Sequence, residues 1–196
     1  MSKVNIPKTA KGQETLDNIC HAAETLFGNK GYYNTSIGDI AKLANIAPGT
    51  IYIYFKDKLS IFRYLIQDLS RNLRKEIAIA TANCSSRYDK EYIGFRVFFD
   101  FAKKHTGFYK IIWEALFVDK ELFRQYYEKF AERYIIRIKD AQKNKEMVDM
   151  DPLVLAYSLI GITNFIGLKW IIFEDGPVPD HVIDEIMKFV KNGAFK

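Results

Sequence analysis

Residues 35–59, TSIGDIAKLANIAPGTIYIYFKDKL, decide the fold. Ser36 precedes a run in which Ile37, Ile40, Ala41 and Ala44 recur at i, i+3, i+4 and i+7, the spacing of one helical face, and Asp39 stands three residues after Ser36 as its capping-box partner. This helix is expected to stop at Asn45, which tolerates the left-handed conformation. Pro48 then suits the first turn of a short second helix. Asp57 opens a third. Two short helices, a tight turn and the start of a longer helix have the punctuation of a helix-turn-helix.

At 100 degrees per residue, taking Ile51 and Phe55 as the buried pair of the second helix centres its opposite side on Gly49 and Ile53, with Thr50 and Tyr52 on the flanks. A surface helix normally shows Lys, Glu or Gln there. A DNA major groove accounts for all four residues: Gly49 admits close backbone approach, Thr50 reaches base edges or phosphate, Tyr52 reaches phosphate, and Ile53 packs on a thymine methyl. The alternative is a helical corner whose apolar residues cover a neighbouring segment.

The residues Gly31-Tyr32, Thr35-Ser36, Asp39-Ile40-Ala41, Gly49-Thr50-Ile51-Tyr52, Tyr54-Phe55 and Asp57-Lys58-Leu59 resemble the DNA-binding signature of the TetR family of bacterial transcription regulators. The resemblance covers roughly the first 60 residues without gaps. It implies an all-α homodimer, with an N-terminal three-helix DNA-binding domain at residues 1–56 and a helical bundle at 57–196 for ligand binding and dimerisation. With the exposed face, it assigns DNA contact to Thr35, Ser36, Pro48, Gly49, Thr50, Tyr52, Ile53, Tyr54, Lys56 and Lys58. Two positions depart from the family pattern. Ala47 stands where a Ser or Thr often caps the recognition helix and bonds a phosphate, and Asn45 replaces the usual turn glycine.

Charge supports the same reading. Of a net +5, all is carried by residues 1–75, with eleven Lys or Arg against six Asp or Glu, while residues 76–196 hold eighteen of each. Such asymmetry is the electrostatic footprint of a nucleic-acid-binding domain. Lys3, Lys8 and Lys11 form a basic arm, either lying along phosphate or a minor groove or simply solvated.

Cys20 and Cys84 are too few for a disulfide framework, and His21, His105 and His181 have no partner at metal-ligand spacing, so no metal or cofactor is expected. Without an apolar leader at the N-terminus, a cytoplasmic location is expected. The segment 153–173 is long enough to span a bilayer, yet it carries Ser158, Thr163, Asn164 and Lys169 and opens on Asp151-Pro152. A buried helix is the expectation, and no membrane partner.

The remaining punctuation gives about nine helices and no strand: from Thr9 or Ala10 to Asn29, the two of the motif, Asp57 to about Ala82, Tyr88 to His105, Phe108 to Phe117, Asp119 to about Lys145, Asp151 to Glu174, and Asp180 to Asn192. Fifteen aromatic residues fall within the 47 positions 88–134. Singly each suits a core; together they suit a pocket for an apolar or aromatic effector touching some of Phe98, Phe101, Trp113, Phe117, Phe130 and Phe165. Gly161, Ile162, Phe165 and Leu168 on one helix, with Val182, Ile186 and Phe189 on the last, form a patch that pairs either with its symmetry mate in a four-helix contact or within one chain.

The leading expectation is a regulator, most often a repressor in the family, binding a palindromic DNA operator as a homodimer and released by a small apolar or aromatic effector. The alternative is a DNA-binding architectural or partner-binding protein of the same fold without a small ligand. No nucleophile, base and orienting group stand at recognisable spacing, and no glycine-rich phosphate loop is present, so no enzyme is expected.

Overall fold

The structure, a computed structural model, describes residues 4–195; Lys3 of the basic arm lies outside them. Nine α-helices follow one another: α1 Ala10–Lys30, α2 Ile37–Leu43, α3 Pro48–Tyr54, α4 Lys58–Ala80, α5 Arg87–Lys104, α6 Thr106–Val118, α7 Lys120–Lys143, α8 Pro152–Gly167 and α9 Asp180–Ala194. Among the described residues there is no strand, only a single bridge between Met147 and Phe195.

Local chemistry sets these boundaries. Thr9 Oγ1 accepts from the Gly12 N–H at 3.1 Å to open α1, and Gly31 at φ +78° closes it. Ser36 and Asp39 form the reciprocal capping box, Ser36 Oγ accepting from the Asp39 N–H at 3.0 Å and Asp39 Oδ2 from the Ser36 N–H at 2.9 Å. Asn45 takes φ +55° after α2, and Ala47 offers α3 no side-chain cap. Ser86 and Asp151 cap α5 and α8.

Two boundaries differ from expectation. Only His105, at φ −114° and ψ 52°, separates α5 from α6, so the interruption read at Thr106-Gly107 narrows to one residue. The helix expected to run unbroken to Glu174 changes at Leu168–Phe173 into a π-helical turn, in which the Glu174 N–H donates to the Lys169 carbonyl five residues back. The sequence there, LKWIIF, is apolar on nearly every side and carries no periodicity to mark the change.

The chain folds as two compact units. One holds the chain up to Ser70 with Gly107–Arg124; the other holds Arg71–Thr106 and the chain from Gln125 onward. The three-helix motif therefore shares its unit with the first part of α4 and with α6, beyond the 56/57 boundary drawn from sequence. Its core is Leu16, Ile19, Phe27, Ile40, Ile51, Phe55, Phe62 and Ile111. Within it, α1 and α6 cross at two glycines: a methyl on Gly28 would lie 2.5 Å from the Gly107 Cα, and one on Gly107 2.8 Å from the Glu24 carbonyl oxygen.

In the second unit, Phe95, Phe99, Ile138, Leu155, Ala156, Ile183 and Met187 make the core. Val182 and Ile186, expected at a subunit contact, are instead buried here, each 8% exposed, because α9 turns them inward with Ile183, Met187 and Val190. Phe189, on the opposite face, is 71% exposed. One helical stretch, Pro152–Phe173, is long and apolar enough to cross a membrane. Its buried side is Leu155, Ala156, Leu159, Ile160, Thr163, Gly167 and Ile171.

Candidate DNA interface and interior cavity

α3 presents the face that its spacing requires. Ile51 and Phe55 are buried, whereas Tyr52 is 58% and Ile53 60% exposed. Pro48 and Gly49 are exposed with nothing within 4 Å of a Gly49 Cβ, Thr50 and Tyr54 are half-buried, and Lys56 is exposed just beyond the helix end. No charged side chain lies on α3. A surface of hydroxyl, phenol, methyl and open backbone can read base edges and methyl groups, while Lys56 and the basic remainder of the domain attract the phosphates.

Three residues hold this surface in place. Lys58 Nζ donates to the carbonyls of Tyr32 and Thr35 at 2.7 and 2.8 Å and lies 4.3 Å from the Tyr32 ring centroid, so the first turn of α4 clasps the segment before α2. The Glu114 carboxylate accepts from the Tyr32 N–H at 2.7 Å. Asn5 donates its N–H to the Tyr54 carbonyl at 3.1 Å and its side-chain amide to that of Ile53 at 3.2 Å, which ties the N-terminal segment to the end of α3. Neither Asn5 nor Glu114 stood out in the sequence, since both contacts join positions far apart in the chain.

Two of the expected DNA contacts are corrected by this geometry. Thr35 is 1% exposed, its hydroxyl donating to the Gly31 carbonyl at 2.8 Å, so it positions the turn and cannot touch DNA from there. Lys58 spends two of its three donors on carbonyls and serves first as an internal tie. Ser36 is exposed but engaged in its capping box, where the Ser36 hydrogen bonds hold the Asp39 carboxyl below its usual range.

The second unit contains a cavity of about 120 Å³, several times the ~15 Å³ that a single water needs. Its apolar wall comes from Ile77 and Ala78 of α4, Phe95 and Phe98 of α5, Phe130 of α7, and Leu159 and Ile160 of α8. The rest of the lining is charged. Arg74, Arg87, Lys90, Arg133 and Arg137 stand against the single carboxylate of Glu91. Glu91 is 3% exposed, ion-paired to Arg87 and accepting from the Tyr134 hydroxyl. Burial pushes its carboxyl up from the ordinary value, against the pull of Arg87, Tyr134 and Arg137. Burial also lowers Arg74, with the like charge of Arg133 adding to the effect.

A family model for "Bacterial regulatory proteins, tetR family" matches residues 19–65, from the middle of α1 into α4. The HTH-type transcriptional regulator YttP of Bacillus subtilis is 26% identical over 142 residues, 69% of each chain. A TetR-family transcriptional regulator structure from Syntrophomonas wolfei superposes with a TM-score of 0.79 at 24% identity, covering 91% of this chain and 94% of that one. The chain belongs to the TetR family.

It is therefore a DNA-binding transcription regulator, all-helical, rather than an enzyme. A Clostridium perfringens protein named for fatty acid metabolism regulation is also similar, with a TM-score of 0.74 and 25% identity over 89% of this chain and 95% of its own. Within this TetR-family regulator, Phe98 and Phe130 line the cavity, whereas the other four aromatics expected around a ligand do not. Phe101 is buried elsewhere against the His105 ring, at 4.4 Å between centroids. Trp113 and Phe117 belong to the first unit, Phe117 being 79% exposed. Phe165 follows the cavity-lining Thr163 by two residues, about 200 degrees around α8, and is 66% exposed.

That outer side of α8 and its extension carries Leu153, Val154, Tyr157 and Phe173, all exposed. Gly161 has nothing within 4 Å of a Cβ, and Ile162 and Leu168 are half-buried. The charged cavity residues were not legible as a site. Arg87 and Glu91, four apart on α5, read as an ordinary helical ion pair until α7 brings Tyr134 against them.

Proposed function

We propose that the regulator is a homodimeric repressor that binds a palindromic operator through two copies of α3 and is released when a small molecule enters the cavity of the second unit. The observation that carries the reading is the uncharged exposed face of α3, Gly49, Thr50, Tyr52 and Ile53, seated on a basic domain. The dimer reading is supported by the exposed apolar row Leu153, Val154, Tyr157 and Phe165 with the open Gly161. Two-fold symmetry would place the recognition helices in successive major grooves, about 34 Å apart. Effector binding then acts by favouring a head spacing that does not match them. A regulator of this kind works in the cytoplasm beside chromosomal DNA.

The cavity favours the effector reading over a partner-binding protein without ligand, which would fill that space with its own aromatics. Its wall fits the notion of an apolar body, as does the name of the Clostridium perfringens relative.

Gel shifts across the regulator's own upstream region test the DNA reading. A specific fragment should bind with an affinity that falls steeply with salt, and Thr50→Ala or Tyr52→Ala should weaken it by about 5- to 100-fold, as loss of one groove contact does. Equal affinity for random DNA would overturn it.

A further inference from the structure

The cavity is polarised from end to end. On α5 the lining residues Arg87, Lys90, Glu91, Gly94, Phe95 and Phe98 fall on one face, charged in the first turn and apolar beyond it. Eleven residues separate Arg87 from Phe98, about 16 Å along the axis. α7 runs the same gradient in reverse, from Phe130 to Arg133, Tyr134 and Arg137, and the Tyr134 hydroxyl bonded to Glu91 brings the two charged ends together.

At that end the charges do not balance. Five cations face one carboxylate, and Glu91 is already taken by Arg87 and Tyr134. Arg87 is 8% exposed, yet its Nε has no hydrogen-bond partner among the described residues. The side chains of Lys90 and Arg133 form no ion pair among the described residues, and Arg133 faces the like charge of Arg74. A buried guanidinium N–H without an acceptor is costly, and covering it with a neutral apolar ligand would leave it so.

We propose that the effector is an amphipathic anion: a carboxylate or phosphate head seats against Arg87, Arg133 and Arg137, and an unbranched apolar body lies along Phe95, Phe98, Leu159 and Ile160. This rests on the effector reading above and narrows it, since sequence alone pointed only to an apolar or aromatic compound. The head supplies the acceptor that Arg87 Nε lacks and offsets the repulsion between Arg74 and Arg133. Glu91, holding Arg87 from within, is the internal counter-ion that keeps the guanidinium oriented while the cavity is empty.

The test uses the full-length regulator with decanoate, decyl phosphate and decanol, each below its micelle concentration, read by thermal shift and by release of operator DNA. One or both anions should raise Tm and release the operator, with decanol weaker by about 10- to 100-fold, the worth of a charge-assisted hydrogen bond. The better of the two anions identifies the head as carboxylate or phosphate. Arg133→Gln and Arg137→Gln, both at exposed positions, should weaken the anions and leave decanol unchanged; Arg87→Gln should do so most, provided its far-ultraviolet dichroism matches the parent. Decanol binding as tightly as both anions, or glutamine variants that bind them undiminished, would overturn the anionic head while leaving an effector in the cavity. Failure of all three compounds to bind would overturn both.

Discussion

At Lys58 one ammonium serves two peptide carbonyls and an aromatic ring. Lys58→Met should therefore cost about 1–3 kcal/mol of stability in urea unfolding, the penalty of partly buried carbonyls left without a donor. Lys56→Met, at an exposed position with no such duty, should leave unfolding unchanged and weaken DNA binding; equal unfolding midpoints for the two variants would contradict the division. Cys20 gives a second prediction at this scale. Burial, with Asp68, Asp17 and Glu24 adding negative charge, pushes its thiol up to about 12, so the neutral form persists in the folded protein until pH rises through that value. Against an ordinary thiol its thiolate fraction at pH 8 is smaller by about a thousandfold, and reaction with Ellman's reagent slows accordingly. Native protein should show one fast thiol, Cys84, and two after unfolding. Individual residues were legible in the sequence where their partner was local: the Ser36 and Asp39 box, the turn at Asn45, the uncapped Ala47. Thr35 and Lys58 misled because they partner each other across 23 positions, a distance that no spacing rule spans.

The helices themselves followed from caps and periodicity nearly everywhere, since each signal lies within four residues of the boundary it sets. Crossings between helices did not. α1 and α6 meet at Gly28 and Gly107 with no room for a methyl group. Gly107→Ala should destabilise by about 1–3 kcal/mol through forced backbone displacement, although alanine is the better helix former. Gly161→Ala, where nothing lies within 4 Å, should instead raise the stability of the isolated chain by up to about 1 kcal/mol. The two variants run in opposite directions in denaturant titrations; a stabilising Gly107→Ala would show that the crossing is loose. The cavity was half legible for a related reason. Phe98 and Phe130 belong to an aromatic-rich stretch that had to be buried, but which aromatics meet depends on which face each helix turns inward.

For the whole molecule, the outer face of α8 and the tip of α9 leave Phe165 and Phe189 uncovered in one chain, 66% and 71% exposed. Phe165→Glu should shift sedimentation from dimer to monomer without lowering helix content. Operator affinity should fall with it, because a lone head loses the second half-site; a Phe165→Glu chain that sediments as a dimer would place the subunit contact elsewhere. The charge balance acts at the same scale, with the entire net +5 in residues 1–75 and none in the remainder that carries this face. The wide turn at Leu168–Phe173 bears on length rather than on chemistry. Each of its bonds spans one residue more than those of α8, and the chain beyond it is fastened where Lys103 donates to the Asp175 carbonyl at 2.8 Å. Removing one residue from the turn would let α8 continue in ordinary register and swing everything after it by about 100 degrees. Most single substitutions there exchange one apolar group for another; a single deletion would misalign α9, so this stretch should accept changes of letter far more readily than a change of count.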